Sequence, residues 1–199
     1  WIAPFIGAEA VFERLPFDHP GFVLFSSGTT GKPKCITHSG AGVMLKAQSE
    51  MLYQFNISKG NKVFFFTTCG WMMWNWLTMA LGRGATVVLF DGAPMAPTAT
   101  RLFDIAQDEK LDFFGVSAKF IDSAHKEGLV PAKSHNLSTI KTIGSTGSVL
   151  SLKALIMSTH QLRQMCILHQ CLAEQIFVAA SWQEFRHSLF IAVSCRDHV

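Results

Sequence analysis

Short apolar runs alternate along this chain with longer stretches whose apolar positions recur at helical spacing. Phe22–Ser27 reads as a buried strand, followed by a loop and a return segment, Cys35–His38. A helix is predicted over about Gly42–Gln54, a turn at Ser58–Asn61 and a strand at Lys62–Thr67. A second helix spans about Met72–Leu81, with Gly82 and Gly84 as candidate C-caps. Then come a strand at Ala85–Asp91, a proline-containing turn, and a helix over about Pro97–Glu109 with Thr98 or Thr100 near its start. A strand at Phe113–Ser117, a helix at about Ala118–Lys126, a loop with Pro131 and a strand at Thr139–Gly144 complete the legible pattern. Alternation on this scale predicts an α/β fold with a largely parallel sheet. Ligands in such folds gather at the C-terminal ends of strands, where the loops after Phe25 and Ile143 are expected.

The first of these loops carries chemistry. Phe25-Ser-Ser-Gly-Thr-Thr-Gly-Lys-Pro-Lys34 combines hydroxyls, two glycines and two lysines. Glycines let backbone N–H groups turn toward an anion. Thr29 and Thr30 can donate further hydrogen bonds, and Lys32 and Lys34 add positive charge. It is not a Walker A loop: Pro33 follows Gly31-Lys32, and the spacing from Gly28 is wrong. A Gly/Ser/Thr/Lys cluster by itself is equally a plain surface loop. The string as a whole resembles the phosphate loop of the adenylate-forming superfamily, which includes the acyl-CoA synthetases: aromatic, Ser/Gly, Ser/Thr, Gly, Ser/Thr, Thr, Gly, any residue, Pro, Lys.

Thr67-Thr-Cys-Gly-Trp-Met-Met-Trp-Asn-Trp76 places tryptophans at 71, 74 and 76. For Trp74 and Trp76, core packing on one helix and a role in the site are equally open readings. Trp71 follows Gly70 at a strand-to-helix junction, where a side chain can wall a small pocket. The string is similar to the matching segment of the acetoacetyl-CoA synthetases, as are Phe12–Phe17, Asp18–Pro20 and Leu89–Gly92. The likeness covers about residues 10–150.

It implies a partial large domain of the adenylate-forming fold over 1–150. It also implies an ATP-dependent ligase that joins acetoacetate to CoA through an acyl-adenylate, with Mg²⁺ assisting. Ser26, Ser27, Gly28, Thr29, Thr30, Gly31, Lys32 and Lys34 then hold phosphates. Gly144, Ser145, Thr146 and Gly147 run along adenine and ribose. Trp71 and Ser117 face the acyl group; Ser117, which opens a helix, is equally an ordinary cap. Val149 stands where the family usually has proline. No catalytic residue and no metal ligand is assigned. The resemblance also implies a cytosolic enzyme and leaves its oligomeric state open; the alternatives are another short-chain acyl-CoA synthetase, or a non-catalytic fragment with at most weak nucleotide binding.

Composition narrows the picture a little. Hydrophobic residues make up 49% and charged residues 16% of 199, and the net charge of +3 is spread out, which makes no case for nucleic acid. No apolar run reaches the roughly 18 residues of a membrane helix. Five cysteines without a regular framework suit a reducing compartment. No secretory signal is visible, and Trp1 in place of Met reads as the start of a fragment.

After about Leu150 the text changes character. Cys166-Ile-Leu-His169-Gln-Cys171 has the residue types of a metal cluster, but a different explanation covers more. Under one codon choice for Cys171–His198, reading from the third base of each codon yields Ser-Gly-Gly-Thr-Asp-Ile-Cys-Gly-Cys-Phe-Met, and further on Pro-Val-Tyr-Arg-Gly-Glu-Leu. The acetoacetyl-CoA synthetases resembled above carry such a segment next. Residues 151–199 are therefore expected to be a frameshifted tail with no domain of their own, and the chain to be inactive without the lost segment and the small C-terminal domain.

Overall fold

The computed structural model describes residues 6, 7, 9, 11–26, 34–146, 148 and 167–170, with backbone alone for 26, 34 and 167–170. The chain divides into two compact units, Trp1–Val43 and Met44–Val199.

In the first unit, β1 (Pro20–Ser26) and β2 (Lys34–Ser39) form an antiparallel pair in which Phe25 faces Cys35 and Ser26 faces Lys34. This corrects one expectation. The loop after Phe25 closes a hairpin rather than leaving the end of a parallel strand. The return segment follows too soon for a parallel crossover, which needs a dozen residues or more. Helix α1 (Gly40–Tyr53) runs from this unit into the next.

The second unit is built on a parallel sheet, with strands β3 (Lys62–Phe65), β4 (Thr86–Val88), β5 (Phe113–Ser117), β6 (Thr142–Thr146) and β7 (Ile167–Gln170). Their order is β4-β3-β5-β6-β7, every neighbour parallel. The α/β class with a largely parallel sheet is thus as expected. Helices α2 (Met72–Met79), α3 (Arg101–Asp108), α4 (Ala118–Lys126) and α5 (Pro131–Ser134) fill the connections.

Both sheet faces are covered, so the strands are apolar on both sides. Phe114, Val116, Phe64 and Ile143 pack with Leu102, Phe103 and Ala106 of α3 and with Phe120, Ile121 and Ala124 of α4. On the opposite face Trp76 of α2, 1% exposed, meets Phe113 and Phe55 at 5.3 Å between ring centroids and Phe65 at 6.1 Å. Two glycines make that layer fit. Gly115 pairs with Phe65 and Gly144 with Gly115 in register. A Cβ on Gly115 would lie 2.2 Å from Phe65 Cδ2, and one on Gly144 2.5 Å from Phe113 Cζ.

Several boundaries differ from the sequence reading. The second helix gives way at Ala80 to a 3-10 turn, Ala80–Arg83, capped by Gly84 at φ 70° and not by Gly82. Helix α3 starts at Arg101, because residues 98–100 form a turn closed by Arg101 N–H donating to Thr98 O. The apolar Leu137 and Ile140 are buried but sit in a turn, closed by Ile140 N–H donating to Leu137 O, so β6 begins only at Thr142. Helix α5 and strand β7 were not anticipated. β7 falls within 151–199, whose other residues lie outside the description.

Candidate functional site

Strand order fixes where a ligand crevice opens. From β3 the chain moves to β4 on one side, then returns across β3 to β5, β6 and β7 on the other. The reversal falls between β3 and β5. The helix after β3, α2, packs on the Trp76 face, while the helix after β5, α4, packs on the Phe114 face. The two connections diverge from the C-terminal ends of adjacent strands, which is the geometry of a topological switch point.

The residues at this edge are those the sequence singled out. After β3, Trp71 N–H donates to Thr68 O at 3.1 Å, which turns the chain into α2. Trp71 is the extended residue preceding that helix (φ −109°, ψ 147°) and stays 56% exposed, while Trp76 is sealed in the core. One tryptophan of the segment is therefore open to solvent at the strand-to-helix junction and another is packed in the core. Cys69 beside it is exposed and free.

At the end of β5, Ser117 caps α4: its Oγ accepts the Phe120 N–H at 3.2 Å. The hydroxyl proton remains able to donate. Ser117 pairs in register with Thr146 of β6, which places the two on the same face of neighbouring strands, roughly 5 Å apart. Thr146 Oγ1 and Ser145 Oγ are buried, at 4% and 1% residue exposure, without a hydrogen-bond partner. Two orphaned hydroxyls at the end of one strand are a costly arrangement unless something arrives to satisfy them. Parallel pairing generates the Ser117–Thr146 juxtaposition, and residue spacing gives no sign of it.

Of the remaining candidates, Gly144 lies in β6 under the Phe113 ring. Ser26 and Lys34 face each other at the base of the hairpin. Ser27, Gly28, Thr29, Thr30, Gly31, Lys32 and Gly147 lie outside the described residues. So do Cys166 and Cys171, which flank β7. Among the described residues no three His, Cys, Asp or Glu side chains gather as a metal site, so no Mg²⁺ ligand is assigned.

A parallel sheet with helices on both faces and a switch point between β3 and β5 is of the doubly wound α/β class. The chain belongs to the family of AMP-binding enzymes, whose model matches residues 8–171. It is 51% identical over 151 residues to the acetoacetyl-coenzyme A synthetase of Rhizobium meliloti (strain 1021), covering 76% of this chain and 23% of that protein. It is 45% identical over 139 residues to the acetoacetyl-CoA synthetase of Gallus gallus, covering 70% and 21%. A solved structure, the acetoacetyl-CoA synthetase from Streptomyces lividans, superposes with a TM-score of 0.74 at 33% identity, over 85% of this chain and 27% of that one. The chain thus spans about a quarter of these relatives. The family match runs past Leu150 to Cys171. No described helix is long and apolar enough to cross a membrane.

Proposed function

We propose that this chain carries the phosphate loop and part of the acid and nucleotide site of an ATP-dependent acid–CoA ligase, with acetoacetate as the acid. The carrying observation is the register pairing of Ser117 with Thr146, whose buried hydroxyl has no partner, at the C-terminal ends of neighbouring parallel strands. In the complete reaction the acid's carboxylate attacks the α-phosphate of ATP, giving an acyl-adenylate and pyrophosphate. The CoA thiol then displaces AMP to form the thioester.

The chemical demand of the first step is to neutralise charge on the transferring phosphate, which preorganised N–H donors and lysine supply. Thr29, Thr30, Gly31 and Lys32 hold the β- and γ-phosphates in this reading. Ser145 and Gly147 run along the nucleoside with Gly144, and the orphaned Thr146 hydroxyl gains a partner when the site fills. Trp71 walls the acid and Ser117 donates to it. Mg²⁺ would screen the phosphate charge when bound. The location proposed is the cytosol.

Pyrophosphate release by the full-length parent decides the reading. It is expected to depend on acetoacetate and to be much weaker with acetate. Equal or greater release with acetate would shift the assignment to another short-chain acyl-CoA synthetase.

We also propose that the sequence leaves its reading frame at Cys171, later than the boundary at 151 expected from the sequence, since residues 151–170 fall inside the family match. Support comes from the family match, which ends at the residue where the shifted reading begins. Resequencing the transcript across codon 171 tests it: a frame that still gives Cys-Leu-Ala-Glu after Gln170 rules the shift out.

A further inference from the structure

Away from the sheet edge, three side chains form a relay that the ligase reading does not use. Ser134, the last residue of α5, is exposed, and its Oγ lies 2.7 Å from Nδ1 of His135. Nε2 of His135 lies 2.8 Å from Oδ1 of Asp104 in α3. The imidazole is 8% exposed, with the Phe103 ring at 6.1 Å between centroids, so the nucleophile is open to solvent while the base is sheltered. Asp104 and Phe103 from α3 and Ser134 from α5 face the ring.

The hydrogen-bond inventory fixes the proton positions. An ionised carboxylate only accepts, so Asp104 places the proton of the neutral imidazole on Nε2. Nδ1 is then an acceptor, and Ser134 must donate to it. A competing acceptor, Pro131 O, lies at 3.4 Å, beyond the range of a good O–H···O bond, whereas 2.7 Å is the optimum. Nucleophile, base and a third group orienting the base are thereby aligned in the order that activates a serine.

We propose that Ser134 is an activated nucleophile toward electrophilic esters, with His135 as its general base and Asp104 as the positioning residue. Ser134 Oγ attacks the carbonyl carbon of an activated carboxylic ester, and its proton passes to His135 Nδ1. The bond to the leaving oxygen breaks, and that oxygen takes the electron pair and then the proton from Nδ1. Water next attacks the acyl-serine, giving a proton to His135 Nδ1; the acyl–Oγ bond breaks and Oγ takes that proton back. The products are the alcohol released first, the free acid and the regenerated Ser134.

The test is reaction of the 199-residue chain with a fluorophosphonate probe, followed by peptide mapping. Labelling is expected at Ser134 and not at the neighbouring Ser138. It should be lost in Ser134→Ala and fall about 100-fold or more in His135→Gln, the scale of a general base. Labelling should also slow in Asp104→Asn, which removes the negative charge beside Nε2, and recover in part in Asp104→Glu, whereas a purely structural tie between α3 and α5 would leave the rate unchanged. Labelling of Ser134 no faster than in the urea-unfolded chain, or unchanged by His135→Gln, overturns the proposal.

Discussion

Glu50 shows how burial sets the behaviour of a single residue. Its carboxyl pairs with Lys46 one turn earlier in α1, yet Oε2 is buried without a partner. Burial outweighs the attraction of Lys46 and raises the carboxyl above its ordinary value of 4.5. A raised acid binds its proton more tightly folded than unfolded, so its ionisation opposes folding. Below pH 4.5 both states are protonated and there is no cost; the cost grows as pH rises from there through the folded value and is then constant. Glu50→Gln removes the titration. Relative to that variant, wild type is expected to lose stability between pH 4 and pH 7, read as the difference of their melting temperatures; a constant difference across that range would contradict this. Gly115 makes a steric case of the same kind. A Cβ there would press into Phe65, 6% exposed in the aromatic layer. Gly115→Ala should cost about 1–3 kcal/mol, the range for overpacking. Adding Phe65→Leu should recover part of that loss, because the two sites share one volume. Chemical denaturation of the single and double variants measures both.

At the scale of elements, Asp112 ties the starts of three strands. Its Oδ2 accepts the Lys62 N–H of β3 at 2.8 Å, Oδ1 pairs with Lys141 Nζ at 2.8 Å, and its carbonyl accepts from Thr142 N–H of β6 at 3.2 Å. Asp112→Ala leaves the Lys62 N–H without its acceptor and should cost about 1–3 kcal/mol. Asp112→Asn keeps an acceptor and loses mainly the exposed ion pair with Lys141, worth about 0–1 kcal/mol. Urea midpoints of the two variants should therefore separate clearly. What was legible in the sequence follows from the range over which each element is determined. Strand β5 and helix α4 match the bounds read from pattern, Phe113–Ser117 and Ala118–Lys126, because an apolar run meets a Ser cap and an amphipathic helix at one point. Strand β6 came out shifted because Leu137 and Ile140 are buried from a turn, and apolarity alone does not separate a turn from a strand. Which strands pair is set by contacts distant in sequence, so the switch point, the facing of Ser117 and Thr146 and the addition of β7 could not be read from the chain.

At the scale of the whole molecule, binding and turnover are expected to part company. The phosphate loop motif is complete in this sequence, from Phe25 to Lys34, whereas the chain spans 23% of the Rhizobium meliloti relative. A ligand that binds only the folded form stabilises it by mass action, about 2.7 kcal/mol at a hundredfold excess over Kd. In a chain of this length each kcal/mol raises the melting temperature by about 2–4 °C. If the proposed phosphate grip is formed, saturating ATP should raise the melting temperature of residues 1–199 by several degrees, and Lys32→Ala should remove most of that gain by deleting the lysine charge the proposal assigns to it. The same preparation should form no AMP with acetoacetate and CoA, because gripping the β- and γ-phosphates does not by itself complete the attack at the α-phosphate. An equal shift in the Lys32→Ala variant would remove the loop from the nucleotide site. Acetoacetate-dependent AMP formation by this chain would instead mean that residues 1–199 already contain everything the first step requires.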